Sequence, residues 1–203
     1  WTGPVLAATA ILTVLAALTI LYYPTWDEAT RHVDVIRYWV PEGWEWARVK
    51  ILATIRGGIE GFLGMFHFYR GGVVLGAFWA CLCGGFPLAR EFETGTAELL
   101  FSRPASRWYL GGWQCAAGLV ATLLPVFLSS AALAPMARWV DARLAPGPLL
   151  QAATLACVPL TLVYAFAFLC SSLFDSTARA GGTAGALTAA LFTGFCAEGG
   201  CRV

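Results

Sequence analysis

Residues 71–89 read GGVVLGAFWACLCGGFPLA, and residues 90–107, which follow directly, read REFETGTAELLFSRPASR. The first stretch contains no charged side chain, whereas the second carries three Arg, three Glu and one Pro. At about 1.5 Å per helical residue, roughly 20 residues cross the hydrocarbon core of a bilayer, so 71–89 is long enough to span it. Four more runs, 1–26, 108–137, 144–174 and 180–197, also lack Asp, Glu, Lys, Arg and His. Their hydrophobicity is continuous rather than alternating, which excludes the two-faced strands of a membrane barrel. Inside lipid a helix satisfies its own backbone groups without help from another segment.

Composition agrees. Of 203 residues, 59% are hydrophobic and 12% charged, against about a quarter charged in a soluble domain. The fold class is all-α: one polytopic helical membrane domain covering 1–203. Its five visible spans fall at about 3–23, 71–89, 110–136, 149–174 and 180–197. The first span lacks the basic n-region of a signal peptide and is expected to remain in the mature protein. The chain starts at Trp1 without Met and ends soon after the fifth run, so both ends are expected to be incomplete.

Between spans one and two, residues 24–69 are expected to form amphipathic helices at the membrane surface. Tyr22-Tyr23 and Pro24 close span one, and Thr25-Trp-Asp-Glu28 has the form of a capping box that starts a new helix. Trp26, Ala29, Val33, Ile36 and Val40 then recur at helical spacing, ended by Pro41 and Gly43. Residues 44–69 are apolar but hold Arg56 and Glu60. They read as an interfacial helix leading into span two, or as a sixth span carrying an Arg56–Glu60 pair. Small-xxx-small patterns at Gly72/Gly76 and Gly181/Gly185 mark faces where helices approach closely.

The seven cysteines do not read as a disulfide framework. Cys81, Cys83, Cys115, Cys157 and Cys170 lie in or at the ends of apolar runs, where cysteine behaves as a small hydrophobe; Cys196 and Cys201 could pair. No phosphate-cradling Gly-x-x-x-x-Gly-Lys-Ser/Thr loop is present, and Lys50 is the only lysine. His32 and His67 have no ligand-spaced companions, so no metal site is expected. Ser129-Ser130 and Ser171-Ser172 lack a visible base and are expected to bond back to their own helices. The chain is therefore not expected to be an enzyme or to bind a cofactor or nucleic acid.

Within 90–107, Thr94 or Thr96 can cap a helix whose first turns include Glu98. Leu99, Leu100 and Phe101 give that helix an apolar patch, and Pro104 stops it. The chemistry fits a docking surface for another protein, or a solvated loop whose arginines touch lipid headgroups. The pattern Arg90-Glu-x-Glu-x-Gly-Thr-x-Glu-Leu-Leu100, followed by Ser102-Arg-Pro-Ala-Ser-Arg107, resembles the connector after span two in ABC-2 type transporter permeases. A weaker likeness is Cys170-Ser-Ser-Leu-Phe-Asp175. The resemblance implies the membrane-spanning subunit of an ATP-binding-cassette exporter in a bacterial inner membrane. It implies six spans, pairing with a second permease copy or homologue, and two cytosolic ATPase subunits that hold ATP and Mg. It also implies that the connector is cytoplasmic and couples to the ATPase through Glu91, Glu93, Gly95, Thr96, Glu98, Leu99, Leu100, Phe101, Pro104 and Arg107. The Gly95-Thr96 turn would start the coupling helix.

That orientation leaves Arg90, Arg103, Arg107 and Arg179 inside, with Arg31, Arg37, Arg48, Lys50, Arg56, Arg70, Arg138 and Arg143 outside. The charge balance alone favours the reverse; the motif decides the reading. The rival is a non-transporting membrane anchor or assembly subunit of a larger complex. Trp79, Gln114, Thr122, Gln151, Tyr164 and Thr188 are the polar or amphipathic features of the spans. With no charge among them to pair with an ion, they favour a lipidic or amphipathic cargo.

Overall fold

The computed structural model describes residues 2–30, 49, 52, 57–96, 107–142 and 144–200, and among these there is no strand. Helix α1 covers Thr2–Thr30. The second membrane segment is composite: α2 (Gly58–Leu63), a π-helical stretch (Gly64–Leu75), α3 (Gly76–Gly85) and α4 (Pro87–Glu93). Helix α5 (Arg107–Met136) ends in a 3-10 turn, Ala137–Val140, and is followed by α6 (Pro146–Leu173) and α7 (Thr177–Gly200).

Among the described residues, Gly3–Glu28, Gly58–Glu93, Trp108–Val140 and Pro146–Leu173 are long and apolar enough to cross a membrane. The fifth charge-free run lies in α7. The polytopic helical fold expected from the sequence is therefore present.

The helices alternate in direction. The end of α1 meets the start of the second segment, where Trp26 packs on Phe66 at 5.4 Å between ring centroids. At the other end, Glu91 and Glu93 reach Gln114 near the start of α5 and Thr177 at the start of α7. The second segment packs most extensively on α6, and α1 on α5. Their shared core includes Leu12, Ala16 and Ile20 of α1 with Leu63, Phe68, Val126, Leu133, Ala156 and Leu160.

Two boundaries differ from expectation. Span one does not close at Pro24: α1 runs through it to Thr30, so Thr25 lies inside a helix and starts none. Tyr23 and Trp26 pack on Phe62 with centroids 5.5 and 5.6 Å apart, and this aromatic contact holds the extra turns on the bundle. Proline is tolerated in membrane helices where neighbours stabilise the freed backbone. The second difference lies at residues 58–70, which are continuous with the second span rather than separated from it. Phe62, Leu63, His67 and Phe68 are buried there, while Glu60 is exposed. Arg56 and most of 31–56, with the rest of the expected amphipathic region, fall outside the described residues.

In lipid, helices gain little from hydrophobicity against one another, so close packing and interhelical hydrogen bonds carry more of the association. Of the glycines in the second segment, Gly84 lies most tightly against α6. A Cβ there would lie 2.7 Å from the Tyr164 carbonyl oxygen and 2.9 Å from the Phe168 nitrogen. Tyr164 donates its hydroxyl to the Cys115 carbonyl at 2.9 Å, and Trp79 Nε1 donates to the Ala121 carbonyl at 3.1 Å. These bonds tie α6 and α3 to α5.

The four glycines marked in the sequence divide. A Cβ on Gly76 would meet the Leu160 methyls at 3.0 and 3.1 Å, and one on Gly181 the Phe86 ring at 3.2 Å. Gly72 makes ordinary contact with Ala156 at 3.9 Å, and Gly185 faces open space. Gly76→Ile should therefore lower thermal stability by overpacking, typically about 1–3 kcal/mol, and reduce the monodisperse yield in detergent. Gly185→Ile should leave the melting temperature of the purified protein unchanged.

Candidate functional site

The end of the second segment is where the charged connector begins. Span two bends its chemistry at Phe86-Pro87: α3 ends at Gly85, and Pro87 takes the first position of α4, where a missing amide costs nothing. The next two amides of a helix have no intrahelical acceptor. Phe86 offers no side-chain cap. Instead, Ser171 of α6, fully buried, accepts both: Leu88 N donates to its Oγ at 3.2 Å and Ala89 N at 3.0 Å. A residue 82 or more positions away thus caps α4.

The other end of α4 is closed by the Glu-x-x-x-Gly-Thr motif itself. Thr94 is the C-cap and its amide donates to the Arg90 carbonyl at 3.0 Å. Gly95 then takes φ of +70°, the left-handed conformation that glycine adopts without a Cβ penalty. Its amide donates to the Phe92 carbonyl at 3.2 Å, one of the two bonds of a Schellman ending. The hydroxyl of Thr96 donates to the Glu91 carbonyl at 3.4 Å, filling an acceptor the helix end leaves open. Thr94 Oγ1 donates to the Arg90 carbonyl at 2.8 Å and lies 2.9 Å from Thr96 Oγ1. Gly95-Thr96 therefore closes α4; the helix that the sequence starts at these residues would run from 97 on, outside the described residues. Helix α4 straddles the boundary drawn in the sequence, with Pro87–Ala89 in the apolar run and Arg90–Glu93 in the charged stretch.

The two acids on α4 bond to different spans. Glu91 Oε1 accepts from Gln114 Nε2 of α5 at 2.6 Å. Glu93 Oε2 accepts from the Thr177 amide at 3.1 Å and its hydroxyl at 2.6 Å, at the first turn of α7. Glu93 lies beyond the apolar run, and the Thr177 hydroxyl and amide hold its carboxyl below the usual carboxylate range. A carboxylate beside a helix N-terminus also meets the positive end of its dipole. Short α4 is thus fastened to α5, α6 and α7 through Gln114, Ser171 and Thr177. In the sequence Gln114 reads only as a polar feature of its span and Ser171 as a residue that bonds back to its own helix, while Thr177 carries no signal. Ser172, Ser129 and Ser130 do bond back to their helices, at Leu169 and Val126.

Of the remaining connector residues, Arg107 opens α5, and Glu98, Leu99, Leu100, Phe101 and Pro104 lie outside the described residues. A cleft of about 550 Å³ opens beside α4, with Pro4 of α1 and Gln114 of α5 on its far walls. The second segment lines it with Trp79, Leu82, Cys83, Phe86, Pro87, Arg90, Glu91 and Thr94, a helical stripe that passes from apolar to charged. Among the described residues, no three His, Cys, Asp or Glu side chains gather as a metal would require.

Residues 4–197 match the family model described as "ABC-2 family transporter protein". No curated protein and no solved structure matches the chain.

Proposed function

This chain belongs to the ABC-2 family of transporter proteins, and from that premise we propose that α4 relays the stroke of a separate ATPase into the bundle of a permease that exports its cargo. The family makes the chain a membrane component of an ATP-binding-cassette transporter, not its ATPase. The supporting observation is the three-way fastening of α4. A displacement of the connector pulls on α5 through Glu91–Gln114, on α6 through Ser171, and on α7 through Glu93–Thr177. Hydrogen bonds with a charged partner are stronger than neutral ones, and the Ser171 cap is buried, so α4 stays with these spans during a movement. ATP and Mg belong to the partner subunits, which dock on the 97–106 stretch with Leu99, Leu100 and Phe101 as the apolar contact. Two such permeases pair in a bacterial inner membrane with the connector in the cytoplasm.

The reading is tested on the complex reconstituted with its ATPase. Glu91→Ala should leave the permease folded and the ATPase bound, yet uncouple ATP hydrolysis from transport. The Gly95→Pro, Thr96→Pro double change should uncouple it as well, because it destroys the turn that ends α4. Leu100→Asp should release the ATPase on purification by placing a charge in an apolar contact. Retention of bound ATPase and wild-type transport by all three variants would overturn the relay.

A further inference from the structure

The cleft beside α4 has two chemically different ends. Trp79, Leu82, Cys83, Phe86 and Pro4 make an apolar wall along the membrane segment, and the indole of Trp79 is fixed by its bond to the Ala121 carbonyl. At the other end stand Arg90, Glu91, Thr94, Thr96 and Gln114. About 550 Å³ is the size of a small-molecule site.

The polar end is incompletely satisfied. Gln114 gives its amide nitrogen to Glu91, but its Oε1 is buried and has no hydrogen-bond partner. An unpaired buried acceptor destabilises the protein, and a donor that reaches it recovers that loss. Arg90 is exposed, and no described residue bonds its guanidinium. The end therefore offers an acceptor pair, Glu91 carboxylate with Gln114 Oε1, next to a cation that binds phosphate well.

We propose that this cleft holds the head of an amine-bearing phospholipid. Its ammonium sits beside the Glu91–Gln114 pair, its phosphate lies at Arg90, and its acyl chains descend along Trp79, Leu82 and Phe86. A primary ammonium has three N–H donors to share between the two acceptors; a quaternary ammonium has none, and a glycerol head lacks the charge. The lipid would bridge α1, α4 and α5 at the relay, so the proposal deepens the reading above and rests on it for the consequence, though not for the binding itself.

The test uses the purified full chain with any co-purifying subunits, delipidated in detergent and read by native mass spectrometry. Phosphatidylethanolamine, phosphatidylcholine and phosphatidylglycerol of identical acyl chains are titrated, with free phosphoethanolamine as competitor. The ethanolamine lipid should bind about fivefold or more tightly than the choline lipid, the equivalent of roughly one net hydrogen bond. Gln114→Leu should remove that preference, whereas Gln151→Leu, on an exposed face of α6, should keep it. Arg90→Gln should weaken all three lipids. Equal binding of the ethanolamine and choline lipids by the wild-type protein overturns the proposal. So does full competition by free phosphoethanolamine, which would identify a soluble phosphate as the ligand. Neither ATP hydrolysis nor transport is read in this measurement, so its failure leaves the relay standing, and uncoupling tests that fail leave the lipid site standing.

Discussion

Gly84→Val is expected to abolish the recoverable, monodisperse protein. The Cβ alone would sit 2.7 Å from the Tyr164 carbonyl oxygen and 2.9 Å from both the Ala167 Cβ and the Phe168 nitrogen. Two of these atoms are backbone, so no rotamer change relieves the contact, and α3 must move away from α6. That movement pulls on the Tyr164–Cys115 and Trp79–Ala121 bonds, each of which crosses to α5. Overpacking commonly costs about 1–3 kcal/mol and more where backbone must shift, against a total stability of about 5–15 kcal/mol for ordinary domains. Expression yield, size-exclusion profile and thermal melt in detergent measure the outcome. A normal melt would mean that the second segment and α6 do not touch there.

Ser171→Ala should cause the largest functional loss with the protein still folded. Removing one hydroxyl leaves two amides of α4 without an acceptor in a buried place. At about 1–3 kcal/mol for a buried unsatisfied group, α4 should shift or fray, and the fraction held in the docked arrangement should fall about tenfold or more. ATP-dependent transport should drop accordingly. Ser172→Ala is the matched control, because Ser172 is exposed and bonds only to Leu169 of its own helix; its transport should match the wild type. Equal activity in the two variants would remove Ser171 from the relay.

The contrast between these neighbouring serines shows which features the sequence exposes. Charge-free runs of sufficient length announced the membrane helices, because their physics is local: backbone bonding in lipid depends on no partner. The spacing of Trp79, Leu82, Phe86 and Arg90 also places one stripe on one helical face. Long-range partners leave no such mark. Nothing around Ser171 says that its acceptor serves Leu88 and Ala89, and nothing around Pro24 reveals that Phe62 keeps the helix going beyond it. The Gly95-Thr96 pair is legible as a turn, but the helix it closes is not, because α4 runs across the boundary between the apolar run and the charged stretch. Pro87, a helix-start residue at the foot of an apolar run, was the available clue to α4.

The close contact at Gly84 has a mechanical meaning as well. It is the one glycine of the second segment whose added Cβ would strike the main chain of α6, so a tilt of that segment would pivot there. Glu93, the load point at the water side, lies nine residues beyond it, and Gly76, against Leu160, lies eight residues before it. At about 1.5 Å per residue the two arms are about 13 and 12 Å. Were the segment to tilt there as one body, sideways travel at Glu93 would return at Gly76 with opposite sign and nearly equal size, less whatever the break at Phe86 between α3 and α4 absorbs.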